Sequence, residues 1–166
     1  MSRIVIKNGR VITPDGVLDG ADVVIDNGLI VQIGGKIDAE EGEVIDATGL
    51  YVSPGFIDIH VHGGNGSDTM DGTVEDILNI TRFHAGGGTT SILPTTASDS
   101  LERLITAIEA AREAKSVKGV GARILGLHLE GPYFNLSKKG CHLERFVRNP
   151  EPEEYRQLLE HDDMIC

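Results

Sequence analysis

The sequence predicts an α/β protein, and three observations carry that prediction. Residues 1 to about 53 contain short apolar runs separated by turn signals such as Asp26-Asn27-Gly28, which is typical of β-hairpins. From Pro54-Gly55 onward, strand-like runs alternate with segments of helical periodicity. Polar side chains stand at the C-terminal ends of two of those strands. Together these features indicate a partial (β/α)8 barrel, about its first three βα units, preceded by a small β domain.

The first domain, residues 1–53, is expected to be a small antiparallel β unit. Turns are predicted at Asn8-Gly9, at Pro14-Asp15-Gly16 and at Asp26-Asn27-Gly28. This region contains no histidine and no cysteine, so the chemistry is not expected there. Its Asp and Glu residues are expected to be solvated turn residues.

The second domain, residues 54–166, is expected to begin with a strand that includes His60 and His62. Successive side chains of a strand point to opposite faces, so Phe56, Asp58, His60 and His62 share one face. The isoleucines between them and Val61 then suit packing under helices. The dinucleotide-binding glycine fingerprint and the phosphate-loop motif are missing. Polar inward residues at the C-terminal ends of two different strands favour the barrel over an open sheet.

The later elements follow the same strand–helix order. Further strands are predicted at Thr89–Thr96 and Ala122–Gly131, with the start of a fourth at Met164–Cys166. Helices are predicted to begin at Thr73, which can cap with Asp76, at Asp99, which can cap with Glu102, and at Pro152. The second helix carries a buried stripe formed by Leu101, Leu104, Ile105, Ile108 and Ala111.

A divalent-metal site is the chemistry that these strands permit. His60 and His62 offer two imidazoles one strand repeat apart, and Glu130 offers a carboxylate at the end of the third strand. Such a donor set suits zinc, and also iron, manganese or cobalt. Asp58 and His128 lie deeper on the same predicted faces and are candidates to orient the ligands. Each motif alone is weak, because a His-x-His pair or a lone Glu is often only a solvated or hydrogen-bonded group.

Other reactive residues have simpler interpretations. His84 falls late in a predicted helix and is expected to cap or pack, and His161 is expected to be solvated. The adjacent Lys138 and Lys139 are expected to be loop charges, and Cys141 has no designated base that would make it a nucleophile.

Composition narrows the partners. The 15 Lys and Arg against 26 Asp and Glu give a net charge of -11, which argues against nucleic acid and against anionic membranes. No apolar run has the length of a membrane span, and the N-terminus lacks a signal-peptide core. Two cysteines are too few for a disulfide framework, so a cytoplasmic protein is expected.

The residues resemble a known family. The stretch from Pro54 to Gly63 resembles the first-strand signature of the amidohydrolase superfamily, whose members carry a small β-sandwich-like domain beside a TIM barrel. More specifically, the stretch from His128 to Pro132, followed by Asn135 and by the segment from Lys138 to His142, is similar to the N-acetylglucosamine-6-phosphate deacetylase family.

This resemblance implies hydrolysis of the acetamide of an amino-sugar phosphate, with zinc or iron as cofactor and one or two ions bound. Glu130 would be a metal ligand, and His60 and His62 match the family version that holds a second metal. Cys141 and His142 fall where the family contacts its small-molecule substrate. The family has a different small residue at the Cys141 position.

Length is the departure from that family. The second domain is less than half of the ~250 residues of a complete barrel. The remaining histidine ligands and the aspartate that serves as acid/base would lie beyond Cys166, so none of the family's catalytic acid/base residues falls in this chain. An inactive fragment is therefore expected. Its partner is expected to be a missing C-terminal half, or a second copy of the chain in a homodimer.

Two alternatives remain open. The chain could belong to another amidohydrolase, dihydroorotase-like or deaminase-like. It could also be a non-catalytic fragment that folds and acts only by association.

Overall fold

The computed structural model describes residues 3–38 and 42–166. They fall into two compact units, one ending at Pro54 and one running from Gly55 to Cys166. Within the described ranges, no helix is both long and apolar enough to cross a membrane. The elements are β1 (Ile4–Thr13), β2 (Gly16–Asp26), β3 (Leu29–Gly34), β4 (Glu43–Asp46), β5 (Tyr51–Val52), β6 (Phe56–Val61), β7 (Gly63–Gly64), β8 (Ser67–Asp68), α1 (Val74–Gly86), β9 (Thr89–Pro94), α2 (Leu101–Ser116), β10 (Arg123–Ile124) and α3 (Pro152–Leu159), with short 3₁₀ turns at Thr69–Asp71, Leu136–Lys138 and Glu144–Phe146.

The first unit contains a five-stranded mixed sheet in the order β3-β2-β1-β4, with β5 also paired to β1. The pairs β1–β2 and β2–β3 are antiparallel, whereas β4 and β5 run parallel to β1. The prediction of a purely antiparallel unit is therefore wrong for the last two strands. A hairpin would make β4 antiparallel to β3, the strand that precedes it, but β4 pairs instead with β1 and runs parallel to it.

The predicted turns have different outcomes. The turn after Asp26 is confirmed, because Asn27 and Gly28 have φ angles of 50° and 80°, the pattern of a tight hairpin turn. The predicted turn at Asn8-Gly9 is wrong, because β1 continues through it. Asn8 has a φ of 61°, and the register with β2 shifts between Ile6 and Gly9, so this dipeptide forms a bulge.

The bulge is held by Asp22, whose side chain is not solvated as expected. Asp22 is 2% exposed, and its carboxylate accepts the backbone N–H groups of Asn8 at 2.9 Å and Ile37 at 2.8 Å. Burial raises the pKa of this carboxyl, but the two N–H donors and nearby Lys7 and Lys36 outweigh it, and the net pKa is lowered. Asp22 is therefore a buried carboxylate that links two backbone segments of the first unit by hydrogen bonds.

The second unit contains a three-stranded parallel sheet in the order β10-β9-β6, covered by helices. The predicted stripe of α2 is confirmed, since Leu104, Ile108 and Ala111 are fully buried and Leu101 and Ile105 pack against the same core. Thr73 caps α1 as predicted, and Pro152 begins α3. The cap of α2 is Ser100, not Asp99.

The third predicted strand is much shorter than expected, because it contains an extra residue. Leu125 donates its N–H to Ile92, but the next bond to the middle strand runs from His128 to Pro94. The third strand thus advances three residues where the middle strand advances two, which defines a bulge. After the bulge, side chains of the third strand point to the opposite faces from those that regular alternation predicts. Ile124 and Leu127 are consequently both buried, although regular strand alternation would place them on opposite faces.

The end of the chain lies beside this bulge. The backbone N–H of Leu127 donates to the carbonyl of Met164, and its carbonyl accepts the N–H of Cys166. These bonds form a parallel bridge between Leu127 and Ile165. A Cβ atom at Gly126 would collide with the Met164 carbonyl and the Cys166 sulfur, so only glycine permits this approach.

The outer strand β6 leaves apolar side chains uncovered. Ile57 and Ile59 are 64% and 63% exposed, while Val61 is buried. The expectation that both isoleucines pack under helices is wrong within the described residues, because no described helix covers them. Their strand, β6, is an edge strand that pairs only with β9.

Candidate metal centre

Three side chains converge at one point: His60 from the end of β6, His62 directly after that strand, and Glu130 from the segment after β10. The Nε2 atom of His62 lies 3.0 Å from Oε2 of Glu130, and Nε2 of His60 lies 3.4 Å from the same oxygen. The two Nε2 atoms are 3.3 Å apart. One donor atom from each residue thus falls within 4.8 Å of the others, which is close enough for a single cation to be shared.

The sheet explains why these residues meet. β6 and the segment after β10 flank β9 in a parallel sheet, so their C-terminal ends emerge at the same edge. His60 and His62 are two residues apart, so they project to the same face. Glu130 reaches that face from the other side of the middle strand.

The hydrogen bonds of His62 indicate its tautomer. Its Nδ1 atom lies 3.2 Å from the backbone carbonyl oxygen of Thr95, so Nδ1 carries the proton and donates. The Nε2 atom is then free to present a lone pair.

A shared cation explains the close approach better than an ion pair does. Two protonated imidazoles with nitrogens 3.3 Å apart would repel each other beside one carboxylate. Neutral imidazole nitrogens with a carboxylate are a donor set that zinc accepts. The residues present therefore fit a divalent metal.

His142 lies beside this cluster but presents different chemistry. Its Nδ1 atom accepts the backbone N–H of Ser98 at 3.3 Å, so in the neutral ring the proton sits on Nε2. That Nε2 atom lies 3.5 Å from Oε1 of Glu130, and the side chain is 7% exposed. The ring packs against Phe134 with centroids 4.4 Å apart. His142 is therefore a buried hydrogen-bond donor rather than a lone-pair ligand.

A pocket of about 350 Å³ opens between these groups. His62, Ser98, Glu130, Cys141 and His142 are among its lining residues, so the structure brings together both sequence-predicted substrate residues and two of the three predicted ligands. Cys141 is exposed, and neither it nor Cys166 forms a disulfide.

The two residues expected to orient the ligands contact the strand rather than the ligating nitrogens. Asp58 accepts the backbone N–H of His60 at 3.1 Å. His128 lies with Nδ1 3.1 Å from the carbonyl oxygen of Ile59, and its ring meets that of His60 edge to face at 4.7 Å. Asp58 therefore contacts the backbone of His60, and His128 contacts its ring and the residue before it.

Two threonines that sequence reasoning did not single out complete the support. Thr95 and Thr96 are fully buried, and the Thr96 hydroxyl accepts the backbone N–H of Glu130 at 3.1 Å. The available signal was two adjacent hydroxyl residues directly after Pro94, at the end of an apolar strand.

The loop that carries His142 is fastened at its base. Arg148 donates from Nε to both carboxylate oxygens of Glu154, at 3.0 and 2.9 Å, and from Nη1 to the carbonyls of Asp99 and Phe146. Tyr133 donates its hydroxyl to the same Glu154 at 2.7 Å. Burial, together with this hydrogen bond, raises the pKa of Tyr133 to about 12.

The remaining histidines lie apart from the site. His84 packs as expected late in α1, with Nε2 3.0 Å from the Gly63 carbonyl oxygen. The expectation that His161 is solvated is wrong, because its side chain is 18% exposed and Nδ1 lies 3.1 Å from Glu109. Lys139 is not a free loop charge either, since its ammonium donates to the carbonyl of His142 at 2.8 Å.

Known proteins resemble this chain in sequence and in fold. A sequence profile described as the amidohydrolase family matches residues 51–166. An N-acetylglucosamine-6-phosphate deacetylase from Lysinibacillus sphaericus is 32% identical over 150 residues, covering 90% of this chain and 39% of the relative. A dihydroorotase from Streptococcus thermophilus is 40% identical over 125 residues, covering 70% of this chain and 28% of the relative.

A solved structure gives the same result. The crystal structure of an N-acetylglucosamine-6-phosphate deacetylase from Pasteurella multocida superposes with a TM-score of 0.89 at 31% identity, covering 98% of this chain and 43% of that one. The α/β fold is therefore like that of amidohydrolases. The chain spans about two fifths of the length of the deacetylases that it matches.

Proposed function

The chain belongs to the amidohydrolase family, and from that premise we propose that it supplies the metal-binding part of a deacetylase acting on N-acetylglucosamine 6-phosphate. The reaction would yield glucosamine 6-phosphate and acetate. The observation that carries this proposal is the convergence of His60, His62 and Glu130 beside a pocket that also contains His142. The names of the deacetylase relatives supply the substrate.

The three converging side chains would hold a divalent cation, zinc or iron, as one ion or two. Such a cation, when bound, activates water near neutral pH for attack on an amide carbonyl. Asp58 and His128 would keep His60 in place through the backbone and ring contacts described above.

His142 would act on the substrate by hydrogen bonding. Because Nδ1 accepts the N–H of Ser98, the proton of the neutral ring is on Nε2. This Nε2–H faces the pocket that Glu130 and Cys141 line. A donor fixed in that way can polarise an acetamide carbonyl without reorganising.

The finer architecture is part of the same proposal. We take the second unit as the first three βα units of a (β/α)8 barrel, and the first unit as part of a β-sandwich-like domain. The exposed isoleucines of β6 and the coverage of 43% of the Pasteurella multocida chain support this view. The unpaired cysteines are consistent with a cytoplasmic enzyme.

The reaction would therefore need residues beyond these 166, and the isolated chain is expected to release no acetate. This part is tested by assaying purified chain of 17.8 kDa, loaded with zinc, for acetate release from N-acetylglucosamine 6-phosphate. Release of acetate by a single species of that mass would contradict it.

Substrate class is tested by ligand binding, which does not require turnover. In saturation-transfer NMR, zinc-loaded chain should contact N-acetylglucosamine 6-phosphate, and His142→Ala should weaken that contact. The dihydroorotase relative, at 40% identity, makes dihydroorotate the matched competitor. Stronger binding of dihydroorotate would favour that second function.

A further inference from the structure

We infer that Thr95 and Thr96 are positioning residues that set the geometry of His60, His62 and Glu130. The inference rests on the proposed metal centre. These threonines follow β9, the middle strand, which contributes none of the three converging side chains. Each threonine contacts one of the two flanking segments that do contribute them.

The Thr95 hydroxyl is inserted between β6 and β9. Its Oγ1 accepts the N–H of Val61 at 2.9 Å and donates to the carbonyl of Leu93 at 3.1 Å. The register between the two strands shifts between Asp58 and Val61. The hydroxyl thus links the strands where a direct N–H to carbonyl bond is missing. Since Val61 lies between the two imidazole residues, this link sets the position of both.

The backbone of Thr95 adds two further contacts. Its N–H donates to the carbonyl of Val61 at 2.8 Å, and its own carbonyl accepts Nδ1–H of His62. Thr95 therefore holds the residue before His62 through two bonds and orients the ring of His62 through a third.

Thr96 does the same for the carboxylate ligand. Its hydroxyl accepts the N–H of Glu130 at 3.1 Å, and its own N–H donates to the carbonyl of His128 at 3.0 Å. Regular pairing of this segment with the middle strand ends at the parallel bridge between His128 and Thr95, so at Glu130 the Thr96 hydroxyl takes the place of a backbone carbonyl as acceptor.

Burial makes these bonds specific. Both threonines are fully buried. Valine has nearly the same shape but leaves the N–H of Val61 or of Glu130 without its partner, whereas serine keeps the hydroxyl. The Val and Ser variants therefore separate the hydroxyl from the packing.

The test compares zinc affinity in this chain for Thr95→Val, Thr96→Val and the two serine variants. We expect each valine variant to lose about tenfold or more in affinity, as for other residues that orient metal ligands. The serine variants should recover most of it. Thr81→Val is the matched control, since Thr81 is also fully buried but its hydroxyl donates to the carbonyl of Leu78 in its own helix and contacts neither segment of the metal centre.

Outcomes for the proposed function and for this inference separate cleanly. If the chain binds zinc, Glu130→Ala abolishes binding, and both valine variants keep full affinity, the positioning role is wrong and the metal centre stands. If the chain binds no zinc, both are wrong.

Amide hydrogen exchange gives a metal-free check: Thr95→Val should lower protection at Val61, and Thr96→Val at Glu130. Unchanged protection at both amides would overturn the inference.

Discussion

His142 accepts the N–H of Ser98 at its Nδ1 atom, whereas His62 donates from Nδ1 to the carbonyl of Thr95. The two neutral rings therefore present opposite groups toward Glu130: an N–H from His142 and a lone pair from His62. In the proposed function, this difference assigns metal binding to His62 and substrate binding to His142.

His142→Gln and His62→Gln should consequently differ in their effect on zinc affinity. We expect the His62 variant to lose zinc affinity by at least about 100-fold, because a ligand is removed. The His142 variant should stay within about threefold of the wild type, because the ring offers no lone pair there. Calorimetric titration with zinc measures both. Equal losses in the two variants would show that His142 also binds the metal.

Tyr133 should ionise late in an alkaline titration followed by ultraviolet absorbance. Burial and the bond to Glu154 raise its pKa to about 12, and Tyr133→Phe should remove that late transition. Glu154→Gln should lower the pKa only in part, because burial, the larger cause, remains.

The sign of the corresponding stability effect follows from linkage. The native state holds the Tyr133 proton more tightly than the unfolded state does, so its contribution is present below about pH 10. That contribution is lost as the pH rises through about 12. A late transition that survives in Tyr133→Phe would contradict the assignment.

Asp22→Asn should destabilise the first unit at neutral pH. The carboxylate accepts two backbone N–H groups, and an amide can satisfy only one with its oxygen, so a loss of about 1–3 kcal/mol is expected. Because the pKa of Asp22 is lowered in the folded state, its contribution is present above the unfolded pKa and is lost as the pH falls through the folded value.

The difference in the free energy of unfolding between wild type and Asp22→Asn, measured with urea, should therefore decrease as the pH falls from 7. Asp15→Asn, at an exposed turn position, is the matched control and should have little effect. A gap that stays constant with pH would mean that the charge of Asp22 does not matter.

Leu104→Ala should destabilise the second unit by about 2–5 kcal/mol, because it leaves a cavity in a fully buried core. Leu159→Ala removes the same atoms from a side chain that is 59% exposed and should cost under about 0.5 kcal/mol. Thermal unfolding of the two variants checks the difference. Similar losses would place Leu104 outside the core.

Local patterns in the sequence were sufficient for part of this fold. The turn at Asn27-Gly28 depends on two residues that tolerate positive φ, and the α2 stripe depends on helical spacing, so both could be predicted from neighbours along the chain. The projection of His60 and His62 to one side likewise follows from strand parity.

Long-range contacts explain what could not be predicted. The bulge near Gly126 lies against Met164 and Cys166, and buried Asp22 is satisfied by the N–H of Ile37, fifteen residues away. In the same way, the role of Thr95 appears only when Val61 is paired against it. None of these partners is signalled by its own local sequence.

The most direct measurement is zinc stoichiometry and affinity of the purified chain beside Glu130→Ala. Since the carboxylate and both imidazoles converge within 4.8 Å, the wild type should bind zinc tightly, as one ion or two. Glu130→Ala should lose most of that binding while keeping its circular dichroism spectrum. Unchanged zinc content in Glu130→Ala would contradict the assigned metal centre.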